Sequence, residues 1–251
     1  TLYVVATPIG NRDDLSGRAI KTLNECHCIY AEDTRHSRPL LQYHGIDTPM
    51  RSLHEHNEAG RSDAIVAQLQ TTGSVAIISD AGTPLINDPG YRIVRACQDA
   101  GITVSPIPGA SALIAALSVG GLATDRFLYA GFPPAKSAAR KTWLLEFAQQ
   151  SCSLVLYESP HRIMASLADI VDVFGGAREI CLARELTKRF ETVIRASASD
   201  VLETLENDAQ QQKGEFVLVI AGAPGSKTGA EETELKAMLK TLLNHMPVKT
   251  A

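Results

Sequence analysis

The sequence lacks any apolar run close to the roughly 20 residues that a membrane-spanning helix requires, so we expect no membrane span. Cysteine is scarce, because only five cysteines are scattered over 251 residues, an odd number that is not typical of a disulfide framework. This usage favours a reducing compartment, and we predict a cytoplasmic protein. Cys26-His27-Cys28 has no second ligand pair at a suitable spacing, so we predict no metal site.

The sequence also lacks an excess of basic residues. Lysine and arginine number 24 against 28 aspartates and glutamates, which gives a formal net charge of −4. Binding to a nucleic acid must therefore depend on local basic patches rather than on the charge of the whole surface. The chain is 45% hydrophobic and 21% charged, which is typical of a soluble globular protein, and its length allows one large domain or two smaller ones.

Three nucleotide- and metal-binding motifs are missing. The first strand ends in Ala6-Thr7-Pro8-Ile9-Gly10-Asn11, which lacks the Gly-x-Gly-x-x-Gly spacing of a dinucleotide-binding turn. No Gly-Lys-Ser/Thr of a P-loop is present, and the histidine-rich segment 53–58 is not His-Glu-x-x-His. These absences argue against nicotinamide binding, against nucleoside triphosphate hydrolysis and against a zinc protease.

Strands and helices alternate along the chain, which is typical of a mostly parallel sheet covered by helices. We predict strands at 2–6, 28–31, 75–78, 103–106, 127–130, 154–157, 179–183, 192–194 and 215–221. We predict helices at 15–23, 37–43, 58–70, 91–100, 110–119, 138–149, 163–174, 199–206 and 231–245. The Gly120-Gly121 pair interrupts the pattern, so we predict two α/β domains, 1–121 and 122–224, followed by a flexible segment with a peripheral helix, 225–251.

The most informative segment follows the apolar strand 75–78. It reads Ser79-Asp80-Ala81-Gly82-Thr83-Pro84, and a second turn, Asp88-Pro89-Gly90, comes before the next helix. Ligands of α/β proteins bind at the carboxyl ends of strands, and Gly82 allows a close approach of the backbone to a ligand. The alternative is an ordinary turn between a strand and a helix.

Other strand ends carry similar polar loops, and each has a structural alternative. Glu32 and Asp33 in segment 31–35 are candidates for acid–base work, or they offset the dipole of a helix. Ser111 in segment 108–112 is a candidate ligand contact or a helix cap.

Segment 157–162, Tyr-Glu-Ser-Pro-His-Arg, is dense in functional side chains, as binding loops often are. Segment 54–58 is a candidate substrate loop or a plain surface loop. Segment 184–188 with Glu191 is interpreted as a salt-bridged strand end, and a basic cluster at 136–141 is a solvated helix surface or a phosphate contact.

Taken in order, these segments resemble one family. The motifs are Thr-Pro-Ile-Gly-Asn (7–11), Ala-Glu-Asp-Thr-Arg (31–35), His-x-His-Asn-Glu (54–58), Ser-Asp-Ala-Gly-Thr-Pro (79–84), Asp-Pro-Gly (88–90), Pro-Gly-x-Ser-Ala (108–112), Tyr-Glu-Ser-Pro-His-Arg (157–162), Arg-Glu-Leu-Thr-Lys (184–188) and Gly-Glu-x-Val (214–217). Together they resemble the small-subunit ribosomal RNA methyltransferase branch of the tetrapyrrole methylase superfamily, over residues 2 to about 223.

The resemblance implies two α/β domains with S-adenosylmethionine bound in the cleft between them. It also implies a homodimer that methylates the ribose 2′-oxygen of a cytidine in small-subunit ribosomal RNA, either as naked RNA or in the assembled subunit. The expected cofactor-binding residues are Pro8, Asp80, Ala81, Gly82, Thr83, Asp88, Ser111, Ala112, Phe132, Glu158, Ser159, Ala221 and Gly222. The family usually has proline where this chain has Ala110, and it continues past residue 251 with a small helical segment.

Methyl transfer from a sulfonium is an in-line displacement in which alignment supplies most of the rate, and a base near the weakly acidic ribose hydroxyl should help. The catalytic candidates are Glu32, Asp33 and His161. The candidate RNA contacts are Arg12, Arg35, His54, His56, Lys136, Arg140 and Arg162. Two alternatives remain open, a tetrapyrrole ring methylase and a non-catalytic RNA-binding module that responds to S-adenosylmethionine.

Overall fold

The structure is a computed structural model that describes residues 1–224, apart from the side chains of residues 55–57, 59 and 72. The predicted helix 231–245 and the whole segment 225–251 lie outside the described residues. Contacts between Cα atoms divide the chain into two compact units. The first contains residues 1–120, 182–194 and 213–217, and the second contains residues 121–181, 195–212 and 218–224.

The first unit contains a five-stranded sheet in the order β3-β2-β4-β1-β5, and each neighbouring pair is parallel. Its strands are β1 (Leu2–Val5), β2 (Cys28–Ala31), β3 (Met50–Ser52), β4 (Val75–Ile78) and β5 (Val104–Ile107). β2 and β4 are buried along their whole length, as expected for strands covered on both faces. Val5 lies opposite both Ile78 and Ile107, so the loops that follow β1, β4 and β5 start level with one another.

Helices cover both faces of this sheet. They are α1 (Gly17–Glu25), α2 (Thr34–Tyr43), α3 (Glu55–Thr72), α4 (Tyr91–Asp99) and α5 (Ala112–Val119), with a 3-10 helix at Arg12–Asp14. Leu23 of α1 and Leu41 of α2 pack in one core cluster, and Ile65 of α3 and Ile93 of α4 pack in another. Successive residues of β4 alternate between the two clusters, which shows that they lie on opposite faces of the sheet.

The second sheet has the strand order β6-β7-β10-β8-β9. Its strands are β6 (Phe127–Gly131), β7 (Ser153–Glu158), β8 (Glu179–Arg184), β9 (Thr192–Ser197) and β10 (Phe216–Ile220), and the helices of this half are α6 (Ser137–Leu145), α7 (Ile163–Phe174) and α8 (Ala198–Asn207). β6 and β7 pair in parallel, and the central strand β10 is an entirely buried apolar run.

The predicted α/β class is confirmed, and each predicted strand is present. β3 was not predicted, because three partly polar residues at the edge of a sheet give no apolar signal. The helices predicted at 37–43 and 58–70 begin earlier, at Thr34 and Glu55. α2 begins earlier because the carboxylate of Asp33 accepts a hydrogen bond from the Arg35 amide and caps the helix. Within residues 1–224, no helix is both long and apolar enough to cross a membrane.

Candidate active site

The loops after β1 and β4 are joined by a pair of backbone hydrogen bonds. The Thr7 amide donates to the carbonyl of Gly82 over 2.8 Å, and the Gly82 amide donates to the carbonyl of Thr7 over 3.1 Å. The hydroxyl of Thr7 also donates to the carbonyl of Ser79. Gly82 has a φ of 83°, a conformation that favours glycine. Since the Gly82 amide is already used, the backbone donors that can face a ligand in segment 80–82 are those of Asp80 and Ala81.

The loop after β5 contacts the loops that follow β1 and β4. Thr83 donates its hydroxyl to the carbonyl of Ala110 over 3.1 Å, and a Cβ on Gly109 would lie only 3.0 Å from the Cβ of Ala6. Ser111 stands at the N-cap position of α5, but its side chain makes no capping hydrogen bond. The alternative that Ser111 caps the helix is therefore wrong, and its half-buried hydroxyl is available to a ligand.

Asp33 links β2 to this group through its backbone, since its amide donates to Oδ1 of Asp80 over 3.0 Å. Its own carboxylate accepts the amide of Arg35 over 2.8 Å and pairs with the Arg35 guanidinium over 3.1 Å. The hydrogen bond from the Arg35 side chain holds the pKa of Asp33 below its usual range. A carboxylate with a lowered pKa is a weak base, so the geometry disfavours Asp33 as the catalytic base and occupies Arg35 with Asp33.

Three carboxylates converge at this edge of the sheet, and we call Glu32, Asp80 and Asp88 the acidic cluster. Burial raises the pKa of Asp88 to about 7, and the charges of Glu32 and Asp80 add to the effect. Within residues 1–224, neither Asp80 nor Asp88 forms an ion pair with a lysine or an arginine. The site therefore presents negative charge that a bound cationic ligand would neutralise.

A role for Glu58 was not predicted. Its buried carboxylate accepts the amide of Gly90 over 3.2 Å and the amide of Arg92 over 2.7 Å. It thereby caps α4, whose N-cap residue Gly90 has no side chain for this purpose, and it fixes the turn that carries Asp88. The missing cap at Gly90 was the only signal in the sequence. His54 is exposed, and the side chain of His56 lies outside the described residues.

In the second unit, the loop after β7 is held by Glu158. This carboxylate is 2% exposed and accepts hydrogen bonds from the Ser159 amide and the Ser166 hydroxyl. It also forms an ion pair of 2.8 Å with Arg162, which donates further to the carbonyl of Pro133. Arg162 is thus occupied by protein groups, which disfavours its predicted contact with RNA. His161 in the same loop is exposed.

The remaining predicted cofactor residues of this unit are Phe132, which is exposed, and Ala221 and Gly222, which pack against the protein backbone. Phe132 follows β6, is 50% exposed and lies with its ring centroid 5.6 Å from that of Tyr157. A Cβ on Gly222 would overlap the carbonyl of Ser151, so backbone packing alone requires glycine there. Ala221 donates its amide to the carbonyl of Glu179.

The prediction of Arg140 as a phosphate contact is wrong. Its side chain is 2% exposed and pairs with the buried carboxylate of Asp169 over 2.7 Å. Its guanidinium also donates to the carbonyls of Pro134 and Ala135. Arg140 therefore joins α6 to α7 and to the loop before α6, whereas Lys136 remains exposed.

The cysteines are thiols in ordinary packing. Four are buried, Cys152 is half-buried, and burial raises the pKa values of Cys26 and Cys181 to about 11. Thiols of this kind are unreactive at neutral pH. The described part of the chain contains no group of three or more histidine, cysteine, aspartate or glutamate side chains that could hold a metal ion.

Comparison with known proteins defines the class. The sequence profile described as Tetrapyrrole (Corrin/Porphyrin) Methylases matches residues 1–202, and the chain belongs to this family. Solved structures agree in fold. A diphthine synthase covers 88% of this chain and 89% of its own, with a TM-score of 0.66 at 14% identity. A uroporphyrin-III C-methyl transferase from Thermus thermophilus, complexed with S-adenyl homocysteine, covers 88% and 96%, with a TM-score of 0.58 at 16% identity.

Relatives of higher identity carry a more particular name. The Pseudomonas aeruginosa protein called ribosomal RNA small subunit methyltransferase I is 48% identical over all of this chain and 89% of its own length. The protein of the same name from Escherichia coli O157:H7 is 45% identical over all of this chain and 87% of its own length. The resemblance to this family, which the motifs predicted, is confirmed.

The raised pKa of Asp88 predicts a specific dependence of stability on pH. A carboxyl whose folded pKa lies above its unfolded value stabilises the fold below pH 4, and this contribution is lost as pH rises toward 7. We expect Asp88→Asn to raise the free energy of unfolding at pH 8 by roughly 1–3 kcal/mol and to change it little near pH 4.5. Urea denaturation at both pH values measures this. Asp63→Asn, at an exposed position on α3, is the matched control. A gain at pH 8 no larger than that at pH 4.5 would contradict the assignment.

Proposed function

We propose that this protein is an S-adenosylmethionine-dependent methyltransferase that methylates the ribose 2′-hydroxyl of a cytidine in small-subunit ribosomal RNA. The observation that carries the proposal is its 44–48% identity, over the whole chain, to proteins named ribosomal RNA small subunit methyltransferase I. We further propose that it acts as a cytoplasmic homodimer, and that the chain first passes from one domain to the other at residues 121 and 122, next to the division of the compact units after residue 120. The substrate is small-subunit ribosomal RNA, as naked RNA or in the assembled subunit.

The first unit has features that suit S-adenosylmethionine, which carries a sulfonium and an ammonium group. The acidic cluster provides negative charge near the loop 79–84, where burial and the charges of Glu32 and Asp80 raise the pKa of Asp88 to about 7. Ser111 offers a hydroxyl that no described residue uses. The close approach of Gly109 to Ala6 leaves no side chain between the loops after β1 and β5. These features support binding of the methionine end of the cofactor at this edge of the sheet.

The predicted cofactor residues of the second unit have features that suit the adenosine part of the cofactor. Phe132 supplies an exposed aromatic ring for the adenine, and the loop 158–159 is held rigid by the hydrogen bonds of Glu158. Ala221 and Gly222 directly follow the central strand β10. Pro8, Thr83 and Ala112 flank the loops of the first unit. A rigid site of this kind loses little entropy when the ligand binds.

Methyl transfer depends first on the alignment of the ribose oxygen with the methyl group and the sulfur that it leaves. When bound, S-adenosylmethionine supplies an electrophilic methyl group on a sulfonium. The hydrogen bonds among the strand ends hold the acidic cluster in place, so the ribose oxygen can be positioned by fixed groups rather than by mobile loops. Glu32 is half-buried beside Asp88 and is the best placed of the predicted bases to accept the hydroxyl proton. His161 remains a second candidate.

The first test is a methylation assay with labelled S-adenosylmethionine and small ribosomal subunits that lack this modification. After digestion of the RNA, we expect label in 2′-O-methylcytidine by mass spectrometry. Label elsewhere in the RNA would refute the assignment of the acceptor. Binding of the cofactor and RNA without methylation would favour the non-catalytic module, and a copurified macrocycle with tetrapyrrole absorbance would favour a ring methylase.

The role of Glu32 is tested by single-turnover kinetics. We expect Glu32→Gln to slow methyl transfer by about 100-fold or more, because the base is lost while the size of the side chain is kept. Asp33→Asn is the matched control, since asparagine also caps a helix and Asp33 is occupied by Arg35. We expect the control to stay within about threefold of the wild-type rate. Equal rates for Glu32→Gln and the wild type would remove Glu32 from the mechanism.

The acidic cluster predicts how cofactor affinity depends on pH. A cation beside Asp88 favours its ionised form, so a proton must leave when S-adenosylmethionine binds below pH 7. We expect affinity measured by calorimetry to weaken as pH falls from 8 to 6, by at most about tenfold per unit. S-adenosylhomocysteine lacks the sulfonium charge and should show a shallower dependence. In Asp88→Asn, the affinities for S-adenosylmethionine and S-adenosylhomocysteine should depend on pH to the same extent. If the two ligands still differ in this variant as they do in the wild type, a group other than Asp88 is responsible.

A further inference from the structure

An open groove of about 560 Å³ lies within the first unit, on the side of α2. It is lined by residues 10–13, Tyr43 and residues 187–189, and we call it the basic groove. Of these residues, only Arg12 was predicted to contact RNA. Segment 184–188 was interpreted as no more than a salt-bridged strand end.

One wall of the basic groove is a strained turn. Glu185 and Thr187 have φ values of 50° and 66°, in the left-handed region that non-glycine residues rarely adopt. The turn is held in place because the Thr187 amide donates to Glu191 over 2.6 Å and the Asn11 amide donates to the Thr187 hydroxyl over 3.1 Å. Strain of this kind persists only where surrounding contacts enforce it, and it concentrates at functional sites.

The charges of the groove are unequally compensated. Lys188 is neutralised by Glu185 over 2.9 Å and by Glu215 over 2.8 Å. Arg12 and Arg189, in contrast, form no ion pair with any side chain that the structure describes. The groove carboxylate, Asp13, accepts the hydroxyl of Tyr43 over 2.9 Å. The two exposed guanidinium groups therefore remain available to an anionic ligand.

Each of these arginines stands beside an exposed aromatic ring. The guanidinium of Arg12 lies 5.5 Å from the ring centroid of Tyr43, which is 55% exposed. The guanidinium of Arg189 lies 5.5 Å from the ring centroid of Phe190, which is 63% exposed. Phosphate-binding guanidinium groups interleaved with exposed rings match the backbone and the unstacked bases of single-stranded RNA.

We propose that the basic groove binds a single-stranded segment of the RNA substrate, with Arg12 and Arg189 on phosphates and Tyr43 and Phe190 stacked on bases. This inference rests on the proposed function, because it assigns the RNA-binding surface of that enzyme. It adds Tyr43, Arg189 and Phe190 to the substrate contacts, and it explains the strained turn as the element that places Arg189 in the groove that Arg12 also lines.

The test measures fluorescence anisotropy of a short labelled single-stranded oligoribonucleotide with the full chain, between about 50 and 200 mM salt. We expect Arg12→Gln and Arg189→Gln each to reduce the slope of log affinity against log salt by about 0.7, because each removes one phosphate contact. Arg95→Gln is the matched control, since Arg95 is also exposed but lies on α4, on the opposite face of the sheet from α2, and pairs with Asp99. Its slope should match the wild type.

Stacking is tested separately from charge. Tyr43→Leu should weaken binding roughly 10-fold, whereas Tyr43→Phe keeps the ring and should bind within about twofold of the wild type. Equal affinity for Tyr43→Leu and the wild type would overturn the stacking role. Calorimetric binding of S-adenosylmethionine, which should be unchanged in all these variants, shows that they are folded.

Failure of this inference is distinguishable from failure of the proposed function. If the wild type methylates the ribosomal subunit but the groove variants keep wild-type RNA affinity and salt slope, the groove proposal is wrong and the enzyme assignment stands. If the variants lose RNA affinity while the wild type yields no methylated cytidine, the groove proposal stands alone. If Phe190→Leu changes the sedimentation coefficient without weakening RNA binding, Phe190 packs against a second copy and the proposal is wrong for that residue.

Discussion

The reciprocal hydrogen bonds between Thr7 and Gly82 are the constraint on which the site depends. Parallel strands are connected by crossovers, so the loops at their carboxyl ends have no ladder of their own to hold them together. This pair of bonds extends the contact of β1 and β4 past the last sheet residues, and Gly82 permits it through its positive φ. The hydroxyls of Thr7 and Thr83 then attach Ser79 and Ala110 to the same frame. Three strand ends thus become one rigid surface.

That rigidity has an electrostatic consequence. Asp80 and the turn that carries Asp88 are both held in place, because the Asp33 amide donates to Asp80 and the carboxylate of Glu58 accepts the amide of Gly90. Burial raises the pKa of Asp88, and the charges of Glu32 and Asp80 add to this effect. A cationic ligand would therefore meet charge that is already oriented, and little reorganisation would accompany its binding or reaction.

The sequence allowed the α/β class to be predicted, because apolar strands and the polar loops that end them are local signals. The same signals indicated the loops that follow β1, β4 and β5, which hydrogen bonds and close packing join in the structure. The sequence did not reveal partnerships between distant residues. Arg140 looked like part of an exposed basic cluster, yet its partner Asp169 lies on the next helix and both are buried. Glu58 looked like part of a histidine-rich loop, yet its function is to cap α4 at Gly90. Spacing cannot identify such partners, because tertiary packing decides which charge is desolvated.

Two glycines of the sequence motifs also have partners that are distant in sequence and that spacing could not identify. Gly10 and Gly214 belong to separate motifs, and a glycine after the first strand invites comparison with phosphate-binding turns. In the structure both face the single turn at 185–188. A Cβ on Gly10 would overlap the side chain of Lys188, and a Cβ on Gly214 would overlap Glu185. The glycines of the motifs 7–11 and 214–217 are therefore both explained by packing against the motif 184–188. Because this turn requires glycines on two sides and holds two non-glycine residues in left-handed conformations, its shape is enforced from several directions at once. A simple salt-bridged strand end would not need such enforcement.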